Sequence, residues 1–432
     1  MNPRADVTET KTAAEPAGLW RQPDFLKFWL ALNVSFLGTS VSSLAYPLVA
    51  VLVLEASPVQ MGWLRAAGSA ASFVVGPVAG VLADRVRRRP LLIFSDLGSA
   101  LLAASIPAAY ALGALRISQL YVVQFLAGAL SIIAEVTLMA YLPSLVRRDQ
   151  IVAANSQMEA TSSTISIAGP SLAGFLVQVL SAPVVIIFDS VSFLLSALCT
   201  VLIRAPEPEP APAHERRGVP AEAWEGLRAV YDHELLRPLA QSIAVHFFFA
   251  TMVYSLFVLY AVREVGLAPA PLGLVMASLG PGFLLGALAA PRAARRFGVG
   301  RVMVWATLLT AAGMSLIPLA SGTTATVAFV FAAGHFVMAC GIQLHGVNMM
   351  SLRQTVMPHR LQGRVNASFR YVNLLAGGVG ALIGGAIAER VGLRPTLAVG
   401  AAGLLLPFLR LLLSPVRHLR EIPAEEGMMN AE

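Results

Sequence analysis

The chain is written in blocks of about twenty apolar residues, separated by short stretches that hold most of its charge. That block length matches the ~30 Å hydrocarbon layer of a bilayer at ~1.5 Å rise per residue. Hydrophobic residues fill 56% of the 432 positions and charged residues only 13%. That is about half the charged share of a soluble domain, too little to solvate the surface of so apolar a body. Lipid offers no partners to backbone polar groups, so the blocks must be helices, and the alternating pattern of a membrane barrel is absent.

The expectation is an all-α membrane protein with twelve transmembrane helices. They are read at about 26–54, 62–83, 91–113, 118–142, 161–181, 183–203, 239–262, 272–290, 301–320, 324–350, 366–388 and 395–413. Residues 1–24 carry Arg4, Asp6, Glu9, Lys11 and Glu15 with no apolar core, so the first block is expected to act as its own insertion signal.

The net charge of +7 is nearly all arginine, Lys11 and Lys27 being the only lysines. These charges sit in loops between apolar blocks, which argues for a bilayer partner rather than nucleic acid. One set of loops holds Arg85, Arg87, Arg88, Arg89, Arg147, Arg148, Arg292, Arg295, Arg296, Arg301, Arg353, Arg360 and Arg364. The other set holds Arg65, Arg116, Arg263, Arg390 and Arg394. The positive-inside rule then puts both termini in the cytoplasm of an inner (plasma) membrane. Cys199 and Cys340 both lie inside apolar blocks, which rules out a disulfide framework or zinc-finger spacing.

Residues 204–237 interrupt the series. They begin with a proline-rich spacer, and an amphipathic helix is expected from about Pro220 to His233, with Trp224, Leu227 and Val230 on one face. The expected organisation is a tail (1–25), a six-helix bundle (26–203), this linker, a second six-helix bundle (238–413) and a tail (414–432). The halves look duplicated: Asn155, Gly169 and Gly174 recur 211 residues later as Asn366, Gly380 and Gly385. Arg85, Arg88 and Arg89 recur 207 residues later as Arg292, Arg295 and Arg296. Parallel repeats of this kind place a substrate site between the halves near the midplane.

The strongest local signal is Gly80-Val-Leu-Ala-Asp84-Arg85-Val-Arg87-Arg88-Arg89 between the second and third spans. Gly80 permits close helix approach, Asp84 can accept bonds from a neighbouring helix N-terminus, and the arginines offer forked donors to carboxylates. Together these form a conformational latch, repeated at Arg292, Arg295 and Arg296. In the fifth span, Gly169-Pro170 with Gly174 reads as a bent, closely packed helix.

The Gly80–Arg89 stretch resembles the signature loop of the major facilitator superfamily, departing from it at Arg87. Ala168-Gly169-Pro170-Ser171-Leu172-Ala173-Gly174 is similar to the glycine-proline signature of that superfamily's exporters, with Ile165 and Ala173 replacing two usual glycines. Wider stretches, such as LMAYLPSLVRRDQIVAANS and SLRQTVMPHRLQGRVNAS, resemble the branch of drug-efflux, macrolide-efflux-like and siderophore exporters. The resemblance implies two pseudo-symmetric six-helix bundles and alternating access. It also implies a cavity lined by the first, fourth, seventh and tenth spans, with Asn33, Tyr46, His246, Tyr254, Gln343 and Asn348 as lining candidates.

Charges inside spans are costly and usually functional. Glu135 in the fourth span and Asp189 in the sixth are therefore the proton-coupling candidates, because burial disfavours the ionised carboxylate. Glu135 can equally pair with Arg85 or Arg88, and Glu159 can serve as a latch partner. His335, Cys340 and His345 are five residues apart and point to different helix faces, so no metal site is expected. A Gly-Lys-Ser phosphate loop, a Gly-x-Ser-x-Gly elbow and a His-Glu-x-x-His pair are all absent, which argues against an enzyme. The expectation is a monomeric, cofactor-free, proton-coupled exporter of drugs or amphiphilic small molecules. An importer or uniporter of a small metabolite, or a non-transporting membrane sensor or assembly partner, are the alternatives.

Overall fold

Prolines decide where two of the apolar blocks break. In the computed structural model, Pro281 and Pro407 each lie four residues past a helix end, at Ala277 and Gly403. A proline ring clashes with the carbonyl four residues before it and leaves that carbonyl without a donor. The structure describes residues 19–207 and 219–421, without the side chains of Pro77, Val81, Asp84, residues 219–223, His359 and Arg360.

The first part of the chain forms α1 (Pro23–Leu52), α2 (Pro58–Arg85), α3 (Arg88–Ala111), α4 (Ile117–Leu145), α5 (Ile151–Leu180) and α6 (Ala182–Val201). The short α7 (Val219–Asp232) and the long α8 (Leu236–Arg263) follow. Next come α9 (Pro269–Ala277) with α10 (Leu279–Phe297), α11 (Val299–Leu319), α12 (Thr324–Val356) and α13 (His359–Val391). The last apolar block is split into α14 (Leu393–Gly403) and α15 (Leu405–Leu412). Eleven segments of the described residues are long and apolar enough to cross a membrane. The 28-residue α2 is the twelfth long helix, about 42 Å end to end. Helix α5 begins ten residues earlier than its apolar block, because the polar run from Asn155 to Ser166 continues the helix beyond the apolar part. Large apolar side chains such as Phe94, Leu101, Phe329 and Leu413 face outward, as a lipid-contacting surface requires.

In lipid, helices are held by close packing rather than by apolar burial, so small residues mark the seams. Two seams join the first six long helices to the rest. A Cβ on Gly62 of α2 would come within 2.6 Å of the Ala381 carbonyl oxygen of α13, and one on Gly385 within 2.7 Å of the Pro58 carbonyl oxygen. A Cβ on Gly273 of α9 would come within 2.4 Å of the Pro170 carbonyl oxygen of α5, and one on Gly174 within 2.3 Å of the Pro269 carbonyl oxygen. Each residue of the second set stands 211 positions from its counterpart in the first. The same contact is thus made twice, related by a pseudo-two-fold axis. Gly169 and Gly380 are likewise paired, each pressed on the first long helix of its own half, at Ser40 and Phe248.

The seams close one end of the molecule and not the other. At the end away from the termini, residues of α1, α2, α5, α8, α9, α12 and α14 share one buried apolar cluster. At the terminal end there are two separate clusters. Phe25, Phe28, Leu92, Tyr141 and Leu145 form one, and Leu236, Val299, Leu352, Val365 and Val416 the other. Near that end a Cβ on Gly80 or Gly363 would meet nothing within 4 Å.

Helix α7 docks beside this end. The Arg364 guanidinium of α13 donates to the Glu225 carboxylate at 2.6 Å, and Gly226 lies against the Arg364 carbonyl. Val230 is buried in the second cluster, but Trp224, expected on the same face, remains 67% exposed. Six residues at ~100° each leave the two ~120° apart around the helix.

Candidate functional site

A cavity of about 850 Å³ runs among α1, α2, α3, α4, α6, α8 and α9. Much of its wall is apolar, including Phe36, Met61, Leu130 and Phe193. The capped start of α2 fixes one side: the Ser57 hydroxyl accepts from the Gln60 N–H, and the Gln60 side chain accepts from the Ser57 N–H.

On α6, Asp189, Ser192, Ser196 and Thr200 follow at three- and four-residue spacing, which sets them on one helix face. Across from them α3 contributes Ser95, Asp96 and Ser99 to the cavity wall. The Ser196 hydroxyl donates to Asp96 Oδ2 at 2.7 Å, and the Ser190 hydroxyl donates to the Ala100 carbonyl at 2.8 Å. Asp189 is 3% exposed, and the hydroxyl of Ser42 on α1 faces its carboxylate. Helix α1 lies over this carboxylate because residue 38 is glycine, where a Cβ would come 2.8 Å from Asp189 Oδ1.

Glu135 also lines the cavity, but neither Arg85 nor Arg88 is its partner. Its two carboxylate oxygens accept from the Arg370 guanidinium of α13 at 3.0 and 3.3 Å. Arg65, read from the sequence as an outer-turn residue, lies inside α2 and lines the cavity.

Of the lining candidates, Tyr46 and Tyr254 reach the cavity. Asn33 and Asn348 do not, because each amide donates back to its own helix, to the Trp29 and Leu344 carbonyls at 2.6 and 2.7 Å. Gln343 packs beneath Gly286, and His246 meets Phe247 edge to face. His335 is fully buried between Phe257 and Tyr254, with Nδ1 2.8 Å from the Phe331 carbonyl oxygen.

The latch arginines make no ion pairs among the described residues; the Asp84 side chain lies outside them. Arg89 donates instead to the Thr200 carbonyl at 3.1 Å and to the Val201 carbonyl, the open acceptors at the end of α6. The backbone N–H groups of Arg88 and Arg89 donate to the Glu207 carboxylate, which caps α3. Arg292 donates to the Leu288 carbonyl of its own helix at 3.2 Å, and Arg296 stacks on Phe297. Arg85, Arg295 and Glu159 are exposed.

Asp96, Arg65, Glu207 and Arg370 are not among the residues expected to act. Asp96 carried the same signal as Asp189, a carboxylate inside an apolar block. Glu207 was hidden in the proline-rich spacer, and nothing local marks Arg370 as the partner of a residue 235 positions away.

The Major Facilitator Superfamily profile matches residues 28–381. The chain belongs to that superfamily. This superfamily member is therefore a multi-pass membrane transporter of small molecules rather than an enzyme. It is 27% identical to the multidrug efflux pump Tap of Mycolicibacterium fortuitum, over 90% of this chain and 97% of that one. It is 27% identical to the uncharacterized MFS-type transporter YfiS of Bacillus subtilis, over 83% and 85% of the two chains. It is 24% identical to the enterobactin exporter EntS of Citrobacter koseri, over 93% and 94%. Among solved structures, the nucleoside transporter NupG superposes with a TM-score of 0.72 at 11% identity, covering 90% of this chain and 98% of that one. A bacterial homologue of the iron transporter ferroportin, in its inward-facing state, superposes at 0.68 with 17% identity, covering 90% and 98%. Likenesses at such identities speak for the fold alone.

Proposed function

We propose that this transporter is a proton-coupled exporter of amphiphilic small molecules, working by alternating access across the inner membrane. The observation that carries the reading is the pair of carboxylates, Asp96 and Asp189, tucked into the wall of a largely apolar cavity. Carboxylates so placed exchange protons with a cost that depends on their surroundings, which is how proton binding biases two conformations. The cavity volume suits a drug-sized body. Full-length likeness to efflux proteins supports the outward direction.

The arginine asymmetry supports a cytoplasmic terminal end, and it is stronger once Arg65 is counted inside a helix. On that orientation the cavity faces the cytoplasm. Substrate enters there, protons arrive from outside when the seams part, and the terminal end then closes with the latch arginines meeting new partners. The two bundles and the linker serve as the rocking units and their tether, and the monomer suffices.

Inverted vesicles holding the protein, with an imposed proton gradient, test the reading through uptake of an amphiphile panel that includes cationic dyes, organic anions and a macrolide. Gradient-driven uptake of any class is expected. Folded protein that moves none of them would refute the exporter.

A further inference from the structure

The charges around the cavity are not equivalent. Glu135 is cancelled by Arg370 through two hydrogen bonds. Asp96 and Asp189 are 9% and 3% exposed, the first already bonded to Ser196. Arg65 is exposed, lines the cavity, and forms no hydrogen bond or ion pair through its guanidinium among the described residues. It is the open charge that a solute would meet.

Its position is fixed by rigid neighbours. Leu64 and Ala66 on either side are buried, and Gly62 is clamped on α13. The repeat shows that the fold does not need a cation here. The residue 211 positions on is Met276, which lines the same cavity from α9. A guanidinium facing a cavity walled by membrane helices is best satisfied when an anion pairs with it. A guanidinium matches a planar carboxylate with two parallel donors. Tyr254 of α8 lines the same cavity as Arg65, and its hydroxyl donates to the Met338 sulfur at 3.4 Å. A thioether is a weak acceptor that a carboxylate would displace.

We infer that the cavity selects amphiphiles carrying a carboxylate-like anionic group, held by Arg65 with Tyr254 as second donor and with the apolar body against the cavity wall. This rests on the reading of the cavity as the substrate site, and it narrows the substrate class from amphiphiles in general to organic anions.

The test uses three fluorescent probes of one shape: 1-naphthaleneacetate, its neutral acetamide and 1-naphthylmethylammonium, titrated into purified full-length protein. The acetate is expected to bind about tenfold more tightly than the acetamide, the ratio a charge-assisted pair gives. Arg65→Lys should keep part of that ratio, and Arg65→Met, which copies the side chain already present at the repeat position, should abolish it by weakening acetate binding more than acetamide binding. Should the methionine variant not fold, Tyr254→Phe is expected to narrow the ratio in the same direction. Equal binding of acetate and acetamide by wild type, a preference for the ammonium, binding of none, or an unchanged ratio in Arg65→Met overturns the inference. A ratio lost in Arg65→Met supports it even if vesicles move nothing, a result that would count against the exporter reading alone.

Discussion

The Glu135 carboxylate of α4 and the Arg370 guanidinium of α13 face each other through two hydrogen bonds, 3.0 and 3.3 Å long, across the boundary between the halves. Their side chains are 43% and 49% exposed, so the pair contributes at most ~1 kcal/mol. That is small for stability and enough to shift a two-state balance about fivefold. Arg370→Gln should leave thermal stability nearly unchanged and make the cavity less accessible. Labelling of Leu138→Cys, in a chain with Cys199 and Cys340 replaced by serine, reads the change. Glu135→Arg combined with Arg370→Glu should restore the parental rate, and an unaltered rate in the single variant would dismiss the pair as a conformational tie.

Gly62 and Gly273 make one contact in two copies. Replacing either by leucine forces a side chain into a backbone carbonyl closer than 2.7 Å. Both variants should hold the seams apart and raise the labelling of cavity cysteines from the end away from the termini, with transport abolished. Because the contacts are symmetry-related, the two phenotypes should match. A silent Gly273→Leu beside a dead Gly62→Leu would show that the seams do not act alike.

Asp189→Asn should abolish gradient-driven uptake while leaving downhill substrate exchange. The neutral amide keeps the shape of the buried carboxylate without its charge, so it should cost little stability. Asp96→Asn should weaken coupling in the same direction. Glu135→Gln, by contrast, should alter the conformational balance more than the coupling, since Arg370 holds that carboxylate. Full gradient-driven uptake by both aspartate variants would remove them as the proton site.

Glu207→Ala takes away the carboxylate that caps the first N–H groups of α3. The expected loss is about 1 kcal/mol, typical of a lost N-terminal cap. Faster thermal inactivation in detergent with an unchanged transport rate would fit this role. A transport defect without a stability defect would instead place Glu207 in the moving parts.

Block length and low charge determined the helices, because lipid leaves the backbone no other way to pair its polar groups. The 211-residue recurrence of Gly169 and Gly174 pointed to a duplicated unit, since a glycine at a seam leaves its mark in one chain position. Asp189 and Glu135 were legible as functional candidates for the same reason that Asp96 should have been: a carboxylate in an apolar block has few structural excuses. What each charge meets was decided only by tertiary structure. Glu135 found Arg370 rather than a latch arginine, Arg89 found the end of α6, and Arg65 left its assigned turn for the cavity wall. Helical spacing fixes which residues share a face, but partners on different helices are chosen by how those helices pack. In this fold that packing is set by the two glycine seams, which join segments far apart in the chain and hold only one end of the molecule closed.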